Sequence, residues 1–146
     1  EHRSATGDEL HGVVFGDYPV RQFAAGAYFE VSVAITRAVN PDGLTLGVTT
    51  EMPHQEGWKP VLTADELPNS WSLGYNGAAY INGKDDMKPL DWNPKDLRVG
   101  DRVGLLVTSF GEICAFVNSE KVAHVLDCDV PSGRPLYAVV DLLGNT

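Results

Sequence analysis

Two cysteines in 146 residues, Cys114 and Cys128, are too few for a disulfide framework, and no CxxC pair offers a metal knuckle. Both read as free thiols of a reducing compartment, which places the chain inside the cell, in the cytoplasm. Positive charge is scarce as well. Lys and Arg number 11 against 20 Asp and Glu, a formal charge of −9, which argues against nucleic acid or an anionic membrane as the default partner. No apolar run approaches the ~18 residues of a membrane span, and the polar segment from Glu1 contains no signal-peptide core.

The marks of chemistry are missing too. His2, His11, His54 and His124 show neither HxxxH spacing nor a Cys partner, so no zinc site is expected, and Asp85, Asp86 and Asp91 lack the alternating oxygen ligands of a calcium loop. GxSxG, Walker and GxGxxG loops are absent; 74-GYNG-77 reads as a hairpin turn with no helix after it. No strand carries the closely spaced carboxylate pair of a glycosidase. Cys114 reads as a core thiol in mid-strand, and Cys128, between Asp127 and Asp129, as a poor nucleophile. The expectation is a protein without catalysis, metal or cofactor.

Helical periodicity is the last absence: only Thr63 to Leu67 and Pro94 to Leu97 could each close a helical turn. What is present is alternation. In 27-AYFEVSVAIT-36, Phe29, Val31, Val33 and Ile35 share one face, and Tyr28, Glu30, Ser32 and Ala34 the other. Further strands are predicted over His11–Gly16, Leu44–Thr50, Ser70–Tyr75, Ala78–Asn82, Arg102–Ser109, Glu112–Asn118, Glu120–Val125 and Leu136–Asp141. Asn40-Pro41-Asp42-Gly43, Asn76-Gly77, Asn82-Gly83 and Ser132-Gly133 supply the turns between antiparallel neighbours. The fold class is all-β: an antiparallel two-sheet sandwich, formed as one domain over residues 1–146. The sequence opens without Met and stops just after an apolar strand, so a piece of a longer protein is expected.

Within that frame, Val103, Leu105 and Val107 face one way and Gly104, Leu106 and Thr108 the other, before Gly111 turns the chain into Ile113, Ala115 and Val117. This predicts a central hairpin, entered at Gly100-Asp101, with Asp101 accepting backbone N–H bonds. The alternation of Trp71, Leu73 and Tyr75 assigns Trp71 to the core.

The same residues resemble the Neuralized homology repeat, a SPRY-like family. GDRVGLLV, FVN and LYAVVDLLGNT match its second half. Upstream, Val14-Phe15 and Pro19, Gly26 with Phe29-Glu30-Val31, 47-GVTTEMP-53, 67-LPNSW-71 and 81-ING-83 follow in the same order, from Val14 to Gly144. The resemblance implies a SPRY/concanavalin-like sandwich that binds a protein or peptide ligand without catalysis. Such domains occur in ubiquitin-ligase adaptors or in centrosomal and cytoskeletal scaffolds. A glycan- or small-ligand-binding sandwich is the alternative, and a purely structural repeat a third.

Candidate contact residues come from loop placement and from the preference of interface hot spots for Trp, Tyr and Arg. The loop 51-EMPHQEGWKP-60 carries His54 and Trp58, the latter between Gly57 and Lys59-Pro60. Trp58 can act as an anchor for a partner or as a lid over the core. Tyr18, Arg21, Tyr75, Asn76 and Trp92 are secondary candidates, each with a turn or packing role as its simpler reading. Oligomeric state is not legible.

Overall fold

Alternating apolar residues commit most of the chain to strands that must bury one face, and turn-forming Gly and Asn residues fold them into antiparallel neighbours. The computed structural model describes residues 12–36, 43–53, 55–57, 63–82 and 87–142. Among these the strands are β1 (Val13–Pro19), β2 (Gln22–Phe23), β3 (Gly26–Ser32), β4 (Thr45–Thr49), β5 (Ser70–Gly74), β6 (Ala78–Ile81), β7 (Met87–Pro89), β8 (Arg102–Thr108), β9 (Ile113–Val117), β10 (Glu120–Val125) and β11 (Tyr137–Asp141). They form a six-stranded sheet, β1-β11-β4-β5-β6-β7, and a five-stranded sheet, β10-β9-β8-β3-β2, antiparallel throughout.

The nine strands read from sequence are all present. β2 and β7 are additions, too short to carry a period; β7 is an edge strand ending in Pro89, where a missing N–H costs the ladder nothing. The strand read as far as Thr36 stops at Ser32, and Ile35 is exposed rather than on the core face. The cause is local. The Val33 N–H turns to the Asp101 carbonyl at 2.8 Å and its carbonyl accepts from Gly100, which ties off the strand at its last rung. Short 3-10 turns occupy Ala64–Glu66, Tyr75–Gly77 and Pro94–Asp96.

Between the sheets, Leu46, Val48, Trp71 and Leu73 from one side meet Val103, Leu105, Ile113 and Ala115 from the other, all buried. Trp71 donates its indole N–H to the Cys128 carbonyl at 2.8 Å, satisfying the one polar atom of the ring. Cys114, expected as a core or inter-sheet thiol, is buried, on the outer face of its sheet. It stands in register with Leu106, and its neighbour Ala115 takes the core position.

The outer faces of the two sheets differ. On the six-stranded sheet, Thr45, Gly47, Thr49, Ser70, Ser72 and Asp141 are all buried on the side away from the core. The chain before β5 crosses that face: Ala64 donates its N–H to Asp141 Oδ2 at 2.9 Å, and Ala64 and Leu67 pack with Val139, Val13 and Phe15. The outer face of the five-stranded sheet carries larger and more exposed side chains.

At the entry to β8, Asp101 accepts the Arg98 N–H at 2.7 Å and the Asn118 side-chain amide at 2.9 Å, while Asn118 Oδ1 accepts from the Arg102 N–H. The backbone hydrogen bond from Arg98 and then that from Asn118 hold the Asp101 carboxyl below its ordinary range. A lowered folded-state value means that this stabilisation is present above the unfolded value of about 3.9 and is lost as pH falls through the folded one. Asp101→Ala is therefore expected to lower stability at neutral pH, and the gap to wild type should close in strong acid. Urea denaturation of both proteins at neutral and acid pH measures it; a gap unchanged in acid would show that the carboxylate is not its source.

Candidate protein interface

β2 and β3 join through a tight turn whose Gly26 has φ of 136°, and this turn sets Phe23 beside Tyr28. Tyr28 lies on the outward face of β3 because its neighbours Ala27 and Phe29 face the core. It stands in register with Leu106 of β8, and Leu106 in turn with Cys114 of β9. Its ring extends over Gly104, where a Cβ would meet the Tyr28 hydroxyl at 2.1 Å. Phe116, in register with Gly104, completes the row.

The rings form a continuous edge-to-face series. Phe23 and Tyr28 have centroids 6.4 Å apart at 77°, and Tyr28 and Phe116 are 6.3 Å apart at 76°. Such geometry sets the positive edge of one ring against the negative face of the next. Charged groups close both ends. The Arg21 guanidinium carbon lies 5.3 Å from the Phe23 centroid. Tyr28 donates its hydroxyl to Glu30 Oε2 at 2.8 Å, and Glu30 Oε1 lies 3.9 Å from Arg102 Nη1. Burial, and then the hydrogen bond to Glu30, push the Tyr28 phenol up, so it remains a neutral donor.

A groove of about 290 Å³ runs along this strip, walled by Phe23, Tyr28, Leu106 and Phe116. On the far side of Phe23 a second cleft, of about 220 Å³, opens between the β2–β3 turn and residues 131–134, and Arg134 lines it. Phe110, 86% exposed at the tip of the β8–β9 hairpin, stands at the same end of the sandwich. Phe23 is itself 50% exposed. The series is thus an aromatic strip, fixed at Tyr28 by one hydrogen bond and partly open to solvent.

The residues singled out from sequence fall in different places. Arg21 belongs to this strip. Tyr18 is 83% exposed beside Pro19, at the end of the sandwich where Tyr137 pairs with Thr49. Tyr75, Asn76 and Trp92 lie at the opposite end. There Tyr75 donates its backbone N–H to Thr45 Oγ1 at 3.1 Å, is 7% exposed and packs edge-on against Tyr80. Asn76 is exposed with φ of 54°, and Trp92 packs against the core. His54 and Trp58 lie outside the described residues. Sequence reasoning passed over Phe23, Tyr28, Phe110 and Phe116. Tyr28 did leave a signal, being an aromatic on the same face as Glu30 and Ser32. Phe110 left another, at the tip of a Ser-Phe-Gly bend that cannot reach the core.

No chemistry assembles beside the strip. Among the described residues no three His, Cys, Asp or Glu side chains come together as a metal site, and no helix is long and apolar enough to cross a membrane. Both thiols are free and buried. Burial is the main cause that raises the Cys114 thiol and pushes Cys128 up to about 11. At pH 8 only about one Cys128 in a thousand would then carry a thiolate. Native protein should therefore label slowly with iodoacetamide, and unfolded protein should yield two alkylated cysteines by mass spectrometry without reductant. A disulfide in that experiment would contradict the assignment.

Two antiparallel sheets, one with a covered outer face and the other with an aromatic strip partly open to solvent, define a two-sheet β-sandwich domain. The family model for Neuralized matches residues 2–146, and the chain belongs to that family. The sequence resemblance and the SPRY-like fold drawn from it are borne out. The NHR1 domain of Drosophila melanogaster Neuralized has a TM-score of 0.65 at 19% identity, covering 92% of this chain and 74% of that one. A solution structure of the NEUZ (NHR) domain in Drosophila Neuralized gives 0.64 at 18%, covering 91% and 69%. A human SPRY domain gives 0.58 at 20%, covering 97% and 94%. At these identities the likeness is one of fold. No curated protein matches the chain.

Proposed function

We propose that this domain binds a partner protein through the outer face of its five-stranded sheet, at the strip Arg21–Phe23–Tyr28–Phe116. The observation that carries the reading is the contrast between the two outer faces. One is covered by the chain's own Ala64–Leu67 segment, while the other presents the exposed Phe23 and the half-buried Tyr28 and Phe116, packed edge to face. Burying such rings against a partner releases apolar surface from water at about 25 cal/mol per Å². Their edge-to-face packing limits the entropy lost on binding. The groove walls are apolar, which suits a protein side chain better than a sugar's hydroxyls. The wider role, recruitment of a target or scaffold partner in a ubiquitin-ligase or centrosomal and cytoskeletal assembly, rests on the family resemblance. So does an intracellular, cytoplasmic setting. The single domain over 1–146, working as part of a longer chain, belongs to the same proposal, and the Trp58 loop stays in it as a further contact.

The test separates fold from contact. Phe23→Ala removes a half-exposed ring and should change stability by about 1 kcal/mol or less. Gly104→Ala should evict the Tyr28 ring, since the new methyl and the phenol cannot share one position. Both variants are expected to keep the wild-type melting transition within a few degrees. Both should lose most of their binding to any partner recovered with the wild-type domain, a loss of about 2 kcal/mol for an aromatic hot spot. Full retention of binding by both folded variants would refute the site.

A further inference from the structure

The aromatic strip borders a sheet edge that is only partly paired among the described residues. β3 pairs with β8 along its whole length, from Gly26↔Thr108 to Ser32↔Arg102, but on its other side β2 covers only Gly26 and Ala27. The Tyr28 N–H donates to the Arg21 carbonyl at 3.1 Å, away from β8. In an antiparallel ladder the backbone groups of every second residue point the same way, so those of Glu30 and Ser32 also leave the sheet on that side. Among the described residues nothing accepts from or donates to them there, and both residues are exposed. Unpaired edge groups next to an apolar groove are what strand addition uses, with main-chain bonds giving affinity and alternate side chains giving selectivity.

We propose that the free edge of β3 at Glu30–Ser32 takes an extended, acidic segment of a partner protein as an added strand. The proposal rests on the reading of this face as the binding face and names the chemistry of its ligand. Side chains of the added strand on the outer face would stand beside Tyr28 and the groove, which calls for an apolar or aromatic residue. The charge pattern calls for carboxylates around it. Of the seven Lys and Arg among the described residues, Arg21, Arg102, Lys121 and Arg134 border the strip or its adjoining cleft; of the carboxylates on the same face, Glu30 is shared with Arg102 and Glu112 is taken up by His124. Arg21 lies at one end of the strip and Arg102 at the other, and opposite charges on a partner would set its register.

The experiment selects short randomised peptides displayed on phage against the whole 146-residue chain, then measures synthetic versions of those enriched. The expected peptides carry Asp or Glu on both sides of an aromatic or aliphatic residue, bind more weakly as salt rises, and shift the amide resonances of Tyr28 to Ser32. Methylating one peptide backbone nitrogen that points to β3 should weaken binding by roughly tenfold, since it removes a main-chain hydrogen bond. Ser32→Pro should do the same while keeping a native spectrum, because the lost N–H points off the sheet and the Tyr28–Glu30 hydrogen bond is left in place. The methylated peptide keeps the test decisive should that variant unfold. If every backbone nitrogen can be methylated without loss while Tyr28→Ala still abolishes binding, strand addition is overturned and the aromatic face stands. Peptides that bind but shift other residues overturn both. Enrichment of basic peptides, of none, or self-association through β3 overturns the acidic-strand proposal.

Discussion

Trp71→Ala is expected to cost ~3–5 kcal/mol, the range for deleting a buried aromatic ring from a core. The ring is 4% exposed between the sheets, in register with Val48 on one side and Ile81 on the other. Its loss leaves a cavity lined by side chains that come from both sheets and cannot all collapse into it. It also leaves the Cys128 carbonyl without the indole donor, adding the penalty of a buried acceptor left unpaired. A domain of this size has about 5–15 kcal/mol in total, so a large share disappears with one side chain. Chemical denaturation should show a midpoint shifted far below wild type with the slope retained. A shift under about 1 kcal/mol would mean that the ring does not fill the core as described.

Gly26→Ala is expected to be similarly severe for a different reason. Gly26 has φ of 136°, a conformation that L side chains rarely adopt, and a Cβ there would lie 2.0 Å from the Val107 carbonyl oxygen and 3.0 Å from Thr108 Cα. Backbone strain of this kind costs on the order of 1–3 kcal/mol. The clash adds to it because the obstacle is a neighbouring strand rather than a side chain that can swing away. Either the β2–β3 turn or β8 has to move, and both carry the aromatic strip. The expected result is a loss of ~3 kcal/mol or more, together with loss of partner binding in whatever fraction stays folded. Gly133→Ala is the control. Its φ is 75° and nothing lies within 4 Å of the added methyl, so about 1–2 kcal/mol of left-handed strain is all it should pay. Equal costs at the two positions would show that conformation alone, and not the contact with Val107, governs Gly26.

How much of this was legible beforehand varies with the element. Strands of five or more residues announce themselves because one face must be apolar, and most of the β8–β9 hairpin could be read directly: Val103, Leu105, Val107, Ile113 and Ala115 are buried in the core, while Val117, expected with them, is only half-buried. Asp101 could be read as well, since a carboxylate after Gly at a strand entry has backbone donors within reach, and Arg98 is one of them. Cys114 is buried as expected, but on the outer face of its sheet. Its burial comes from neighbours on the outer face, and a cysteine's polarity does not reveal which face of a strand it occupies. β2 and β7 were invisible because two or three residues contain no period.

The amino-acid order by itself determined the class of fold, the family, the antiparallel hairpins and the identity of Trp71 as a core residue, because each depends on contacts close in sequence or on a period that repeats along one strand. Only the tertiary structure decided which surface is open. Phe23, Tyr28 and Phe116 belong to three different strands, and they meet because β8 lies between β3 and β9 and offers Gly104 as the space for a ring. The closed face is equally non-local: Ala64 reaches Asp141, 77 residues away in sequence, to seal the other sheet. Long-range pairings such as these are set by sheet order and by loop closure, and neither leaves a local trace in the sequence.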